Sequence, residues 1–152
     1  MIQSATKRTV TGVLVKRLTH TLTDRGMTLI SEAARGLKAG EIHELVTTDQ
    51  RNLEAGARVD RVGFLGFVEI ERGGIVERGD RLLVDGREAG VVVGFDACHY
   101  PNHYNVLVEA AQLETAESLL LAVEAPVRFQ PTDSVDTDAP DLARAVPGAD
   151  AR

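Results

Sequence analysis

The hydrophobic and polar positions along this chain read as strands. Residues 9–18 (Thr-Val-Thr-Gly-Val-Leu-Val-Lys-Arg-Leu) are β-branched and aliphatic, and residues 41–48 alternate weakly through Ile42, His43, Leu45 and Val46. Further runs cover 59–70, 80–85, 89–95, 104–109 and 119–129, interrupted at Gly73-Gly74, Gly79-Asp80 and Asp85-Gly86. Short strands at regular spacing with glycine-rich turns predict an all-β fold, a small β-barrel. Asp85-Gly86, set between two aliphatic runs, predicts a two-residue type I′ hairpin, because both central positions of that turn need positive φ. Two windows have helical character: 28–37, with Ile30, Ala33, Ala34 and Leu37 at helical spacing, and 110–118, rich in helix formers. The barrel is therefore expected to carry at most one or two short helices.

Composition changes this picture at the C-terminal end. From Pro131 onward Asp, Ala, Pro, Thr and Ser dominate, and such a stretch buries too little surface to offset the cost of ordering it. The expected division is a barrel domain at 1–130 and an acidic, disordered tail at 131–152. That tail holds Asp133, Asp136, Asp138, Asp141 and Asp150 against Arg144 and Arg152, which is half of the formal net charge of −6. What remains is mildly acidic with scattered arginines and lacks the clustered basic face of a nucleic-acid binder, so nucleic acid is not expected as a partner. No apolar run approaches the roughly 20 residues of a transmembrane helix, and the first thirty residues lack a signal-peptide pattern. A single cysteine excludes an intramolecular disulfide, and the expectation is a cytoplasmic protein without a membrane role. A chain of 152 residues buries roughly two thirds of its unfolded surface, so no cofactor is required for folding.

Candidate chemistry concentrates in residues 94–109, which hold two of the four histidines, the only cysteine and both tyrosines. Tyr100-Pro101-Asn102-His103 has proline and asparagine where a tight turn wants them. A regular hairpin about that turn pairs Tyr100 with His103, Cys98 with Asn105 and Asp96 with Leu107 on one side, and His99 with Tyr104 on the other. The two histidines then point apart. Asp96, Cys98, His103 and Asn105 share the favoured catalytic face, with a histidine as general acid or base and Asp96 or Asn105 fixing its tautomer. His99 and His103 are also candidate metal ligands. Their spacing puts both rings on one face of a helix, but Pro101 argues against a helix, so this reading needs a wider loop or a bulge. A third ligand would come from Asp96, Cys98, His43 or Glu44, a set that suits zinc, iron or manganese. Cys98 is a candidate nucleophile, although His99 would project to the opposite side of the strand. Binding candidates are Tyr104, Arg61, which a barrel interior could use to hold an anion, and His43 and Glu44, of which alternation directs one inward.

Two resemblances accompany these residues. Residues 68–95 contain Gly-x-Val-x-x-Gly-Asp-x-Leu-x-Val from Gly74 to Val84 and resemble the barrel domain that follows the GTPase domain in translation elongation factors. This implies a barrel, and function does not transfer with it, because no phosphate-binding loop precedes the match. Residues 94–108 resemble small bacterial proteins of unassigned function that carry Gly-Phe-Asp-x-x-His-x-Pro-Asn-His-x-Asn. Two functions follow from the whole reading: a small-molecule enzyme performing hydrolysis, elimination or isomerisation, and a non-catalytic ligand-binding or interaction module with a structural histidine-rich turn. A homodimer through exposed strand edges is compatible with either.

Overall fold

The computed structural model describes residues 6–132, and the predicted acidic tail from residue 133 onward lies outside the described residues. The described residues form β1 (Val10–Arg17), β2 (Thr21–Leu22), β3 (Met27–Thr28), β4 (Ala34–Leu37), β5 (Ile42–Thr48) and β6 (Arg58–Val59). They continue with β7 (Val62–Arg72), β8 (Gly74–Glu77), β9 (Arg81–Val84), β10 (Arg87–Asp96), β11 (Asn105–Glu109) and β12 (Pro126–Gln130). Seven of these strands close a ring in the order β1, β12, β9, β10, β11, β5, β7 and back to β1, and β2 adds to β7 outside it. The protein is thus an all-β barrel. Its pairings are antiparallel except for β5 with β11, which run parallel with Asn105 opposite Glu44.

Side-chain alternation sorts the apolar residues into two cores. Leu14, Leu45, Val68, Leu82, Phe95 and Phe129 belong to a cluster fed by strands around the whole ring, which is the barrel interior. Val46, Val62, Phe64, Val93 and Leu107 take the opposite parity and pack under Met27, Leu29, Leu53 and Val59 on the outer face. Residues 41–48 alternate weakly because β5 is covered on both faces.

Asp85 and Gly86 have φ of 54° and 79° and join β9 to β10, the backbone that a type I′ turn demands. No helix occurs among the described residues. Residues 28–37 run past the ends of β10 and β11, with the Ile30 amide donating to the Phe95 carbonyl at 2.9 Å, and finish as β4 paired to β8. In the 110–118 window, side-chain hydrogen bonds between Thr115 and Ser118 satisfy backbone groups locally, so helix-forming composition is overridden by turn chemistry.

Candidate functional site

β10 and β11 pair Asp96 with Asn105, so residues 97–104 form a loop, not the tight Tyr100–His103 hairpin expected from proline and asparagine. The Ala97 carbonyl accepts from the Tyr100 amide at 3.0 Å, and the His99 carbonyl accepts from the amides of Asn102 at 2.9 Å and His103 at 3.4 Å. The Tyr100–Pro101 peptide is cis. A single turn closed from residue i to i+4 puts residues four apart on one side without any continuing helix. The histidines therefore do not diverge: the rings of His99 and His103 lie 5.0 Å apart, and those of Tyr100 and Tyr104 lie 5.2 Å apart beside them.

The parallel pairing of β5 with β11 delivers the third group. Register places Glu44 beside Asn105 at the foot of the loop. Its Oε1 is 3.5 Å from Nε2 of His103, in side chains only 10% and 18% exposed. Ligand atoms of Glu44, His99 and His103 all lie within 4.8 Å of one another. Although near Glu44, the His103 Nε2 is misaligned for a hydrogen bond and is buried without a partner. Glu44 itself is only 8% exposed. Phe67, opposite Glu44 on β7, packs edge-on against His103 at 5.4 Å and walls the cluster on its apolar side.

The other predicted site residues have separate duties. Asp96 Oδ1 accepts from the Cys98 amide at 3.0 Å and the Asn105 side-chain amide at 3.1 Å, and its Oδ2 accepts from the Thr28 amide at 2.9 Å. Burial pushes this carboxyl up, but the donors from Cys98, Thr28 and Asn105 together outweigh burial and hold it below the usual carboxylate range. The expected catalytic face of Asp96, Cys98, His103 and Asn105 is thus split, with His103 outside a network that braces the loop. Burial and the neighbouring Asp96 raise the Cys98 thiol pKa, which suits an inert thiol and not the nucleophile considered from sequence. Both nitrogens of His43 are engaged: Nδ1 accepts from the Tyr104 amide at 3.0 Å, which leaves Nε2 to donate to Glu41 at 3.0 Å. That occupancy removes His43 from the ligand set. His43 and Glu44 do point to opposite faces, yet both are buried, because β5 is covered on each side. Arg61 is not interior. It pairs side-on with Asp49 at 2.8 and 2.9 Å on the surface.

A groove of about 610 Å³ lies at the opposite end of β10 and β11, among Arg51, Glu88, Gly90, Glu109 and Glu114, and contains none of the three clustered residues. Two residues that sequence reasoning did not single out belong to the histidine end: Phe67 and Arg35, whose guanidinium lies 5.0 Å above the Tyr104 ring. Arg35 gave no signal of its own, because it fell inside a window read as helix.

Replacing Asp96 by Asn removes one of the two acceptors that serve three donors. We expect a loss of about 1–2 kcal/mol at neutral pH by urea denaturation. Since the folded carboxyl titrates below its unfolded value, its contribution is complete above the ordinary carboxylate pKa and disappears as pH falls through the lowered one. The wild-type and Asp96→Asn curves should therefore converge in acid, and a gap that persists at about pH 2 would contradict this account.

Fold and cluster together define a small closed β-barrel protein with two histidines and a glutamate gathered at one end of its wall. The chain belongs to a family of unknown function (DUF6917), whose model matches residues 4–130. No curated protein and no solved structure matches it. No helix among the described residues is long and apolar enough to cross a membrane.

Proposed function

We propose that this protein binds one divalent transition metal through Glu44, His99 and His103 and uses it on a small molecule, by hydrolysis, elimination or isomerisation. The observation that carries this reading is the convergence of the cluster: ligand atoms of Glu44, His99 and His103 within 4.8 Å of one another, with the buried Nε2 of His103 left without a hydrogen-bond partner 3.5 Å from the Glu44 carboxylate. A buried polar atom without a partner is costly, and a cation held between the imidazole and the carboxylate supplies that partner. Two ligands bonded to zinc at tetrahedral angles are about 3.4 Å apart, close to the Glu44–His103 separation. His99 is exposed and can swing in to complete the set. Two imidazoles and one carboxylate leave positions open for water or substrate, the donor set of catalytic zinc and of non-haem iron sites. The bound ion would act as a Lewis acid, and the Cys98 thiol nearby, its pKa raised, does not compete as a nucleophile.

A small molecule is the proposed partner, since the chain is acidic, with a formal net charge of −6, and lacks the basic balance of a nucleic-acid binder. The elongation-factor-like run supports the barrel wall and no RNA role. The closed ring leaves no long free strand among the described residues, so edge-to-edge dimerisation is not part of the proposal. The test is metal analysis of protein produced with zinc, iron or manganese in excess. One metal per chain is expected in the wild type, with almost none in the His99→Ala/His103→Ala double variant. Equal metal content in both proteins would refute the reading.

A further inference from the structure

We infer that the site takes an anionic small molecule, whose carboxylate or phosphate group is held by Arg35 over the Tyr104 ring. This rests on the metal reading above for the second point of attachment. Four other arginines are committed to carboxylates: Arg51 to Glu109, Arg58 to Asp60, Arg61 to Asp49 and Arg81 to Glu88. Arg35 differs from all of these. It is half-buried, its Nε is buried without any hydrogen-bond partner, and its contact is the face of Tyr104. Stacking on an aromatic ring holds a guanidinium flat and leaves its in-plane donors free, and those donors match the two oxygens of a carboxylate or phosphate. An unpaired, partly desolvated guanidinium is a group awaiting an anion.

The loop links this cation to the metal cluster through consecutive residues. His103 and Tyr104 are consecutive, and the turn that brings the His99 ring to His103 brings the Tyr100 ring to Tyr104 alongside. Tyr104 is fixed from behind by Phe95 and by His43, which bonds its backbone amide. One rigid residue pair thus carries a metal ligand and the platform of an anion-binding arginine. A ligand with an oxyanion at one end and an oxygen or nitrogen donor at the other would engage both. Tyr100, 59% exposed, would form the flank that such a molecule passes.

The experiment follows the Arg35 Nε–H resonance by NMR while malonate or inorganic phosphate is added, first to metal-free protein and then to zinc-loaded protein. We expect a saturable shift of that resonance, at least about tenfold tighter with zinc present, and stronger for whichever of the two oxyanions the site prefers. Arg35→Met should lose anion binding by about tenfold or more while keeping its zinc affinity, and Arg35→Lys should recover only part, lacking the planar fork. Zinc binding without any anion response at Arg35 overturns this inference and leaves the metal reading intact. Absence of zinc binding with a response at Arg35 overturns the metal reading and the two-point ligand with it. Unchanged anion affinity in Arg35→Met overturns the role of Arg35, and if that variant fails to fold, the wild-type resonance still decides.

Discussion

Glu44→Gln should stabilise the metal-free protein and at the same time abolish useful metal binding. The Glu44 side chain is only 10% exposed, and its Oε1 lies 3.5 Å from the unpartnered Nε2 of His103. Holding that charge in a mostly buried position costs free energy, and glutamine keeps the volume, removes the charge and offers an N–H to the bare imidazole nitrogen. The metal-free variant should gain about 1 kcal/mol, seen as a Tm higher by about 3 °C. Zinc affinity should fall by about 100-fold or more, because the anionic ligand is gone. Calorimetric titration and thermal denaturation of the same preparations check both halves. A variant that is destabilised in the absence of metal would show that Glu44 has a structural role, and a variant with undiminished zinc affinity would remove it from the ligand set.

Gly66→Ala is expected to have the largest effect on folding, about 3 kcal/mol or more. Gly66 lies in β7 where that strand is bracketed by β1 and β5, pairing with Arg17 on one side and Leu45 on the other, with bulges in both ladders. Its φ of 143° is one that side chains rarely adopt, and a Cβ there would collide with the Lys16 carbonyl oxygen. The β1–β7 seam closes the ring, so the collision cannot be relieved by moving one edge outward. β7 also carries Phe67, so the loss should reach the site. Denaturant midpoints compared with Gly79→Ala, where a Cβ meets open space but φ is also positive at 98°, separate the collision from backbone strain. Equal losses in the two variants would mean that strain alone accounts for the effect.

Much of the barrel is legible in local pattern. The strands were signalled by β-branched runs, and Asp85-Gly86 announced its hairpin because the required φ angles belong to those residue types. The end of the chain that holds the chemistry was equally visible, since residues 94–109 contain most of its imidazole and phenol groups. The helical windows misled for a local reason: alanine and leucine favour a helix only when nothing else claims their backbone, and β8 claims that of residues 34–37.

The composition of the site was another matter. Proline and asparagine permit a tight turn but do not specify one, and the strand register that places Asp96 opposite Asn105 lengthened the connection and closed the turn differently. Glu44 stood in sequence as one of four candidate third ligands, and nothing near it says that it lies beneath a loop about sixty residues away. Arg35 had no marker at all.

By itself the sequence determined the all-β architecture, the hairpin at Asp85-Gly86 and the location of the reactive side chains, because these depend on the preferences of each residue and its immediate neighbours. Only the tertiary structure decided that His99 and His103 converge, that Glu44 joins them while Asp96 and His43 do not, and that Arg35 overlies Tyr104. The physical reason is that a parallel pairing between β5 and β11 and a crossing segment at the barrel end are set by closure of the whole ring, to which each strand contributes and which none encodes alone.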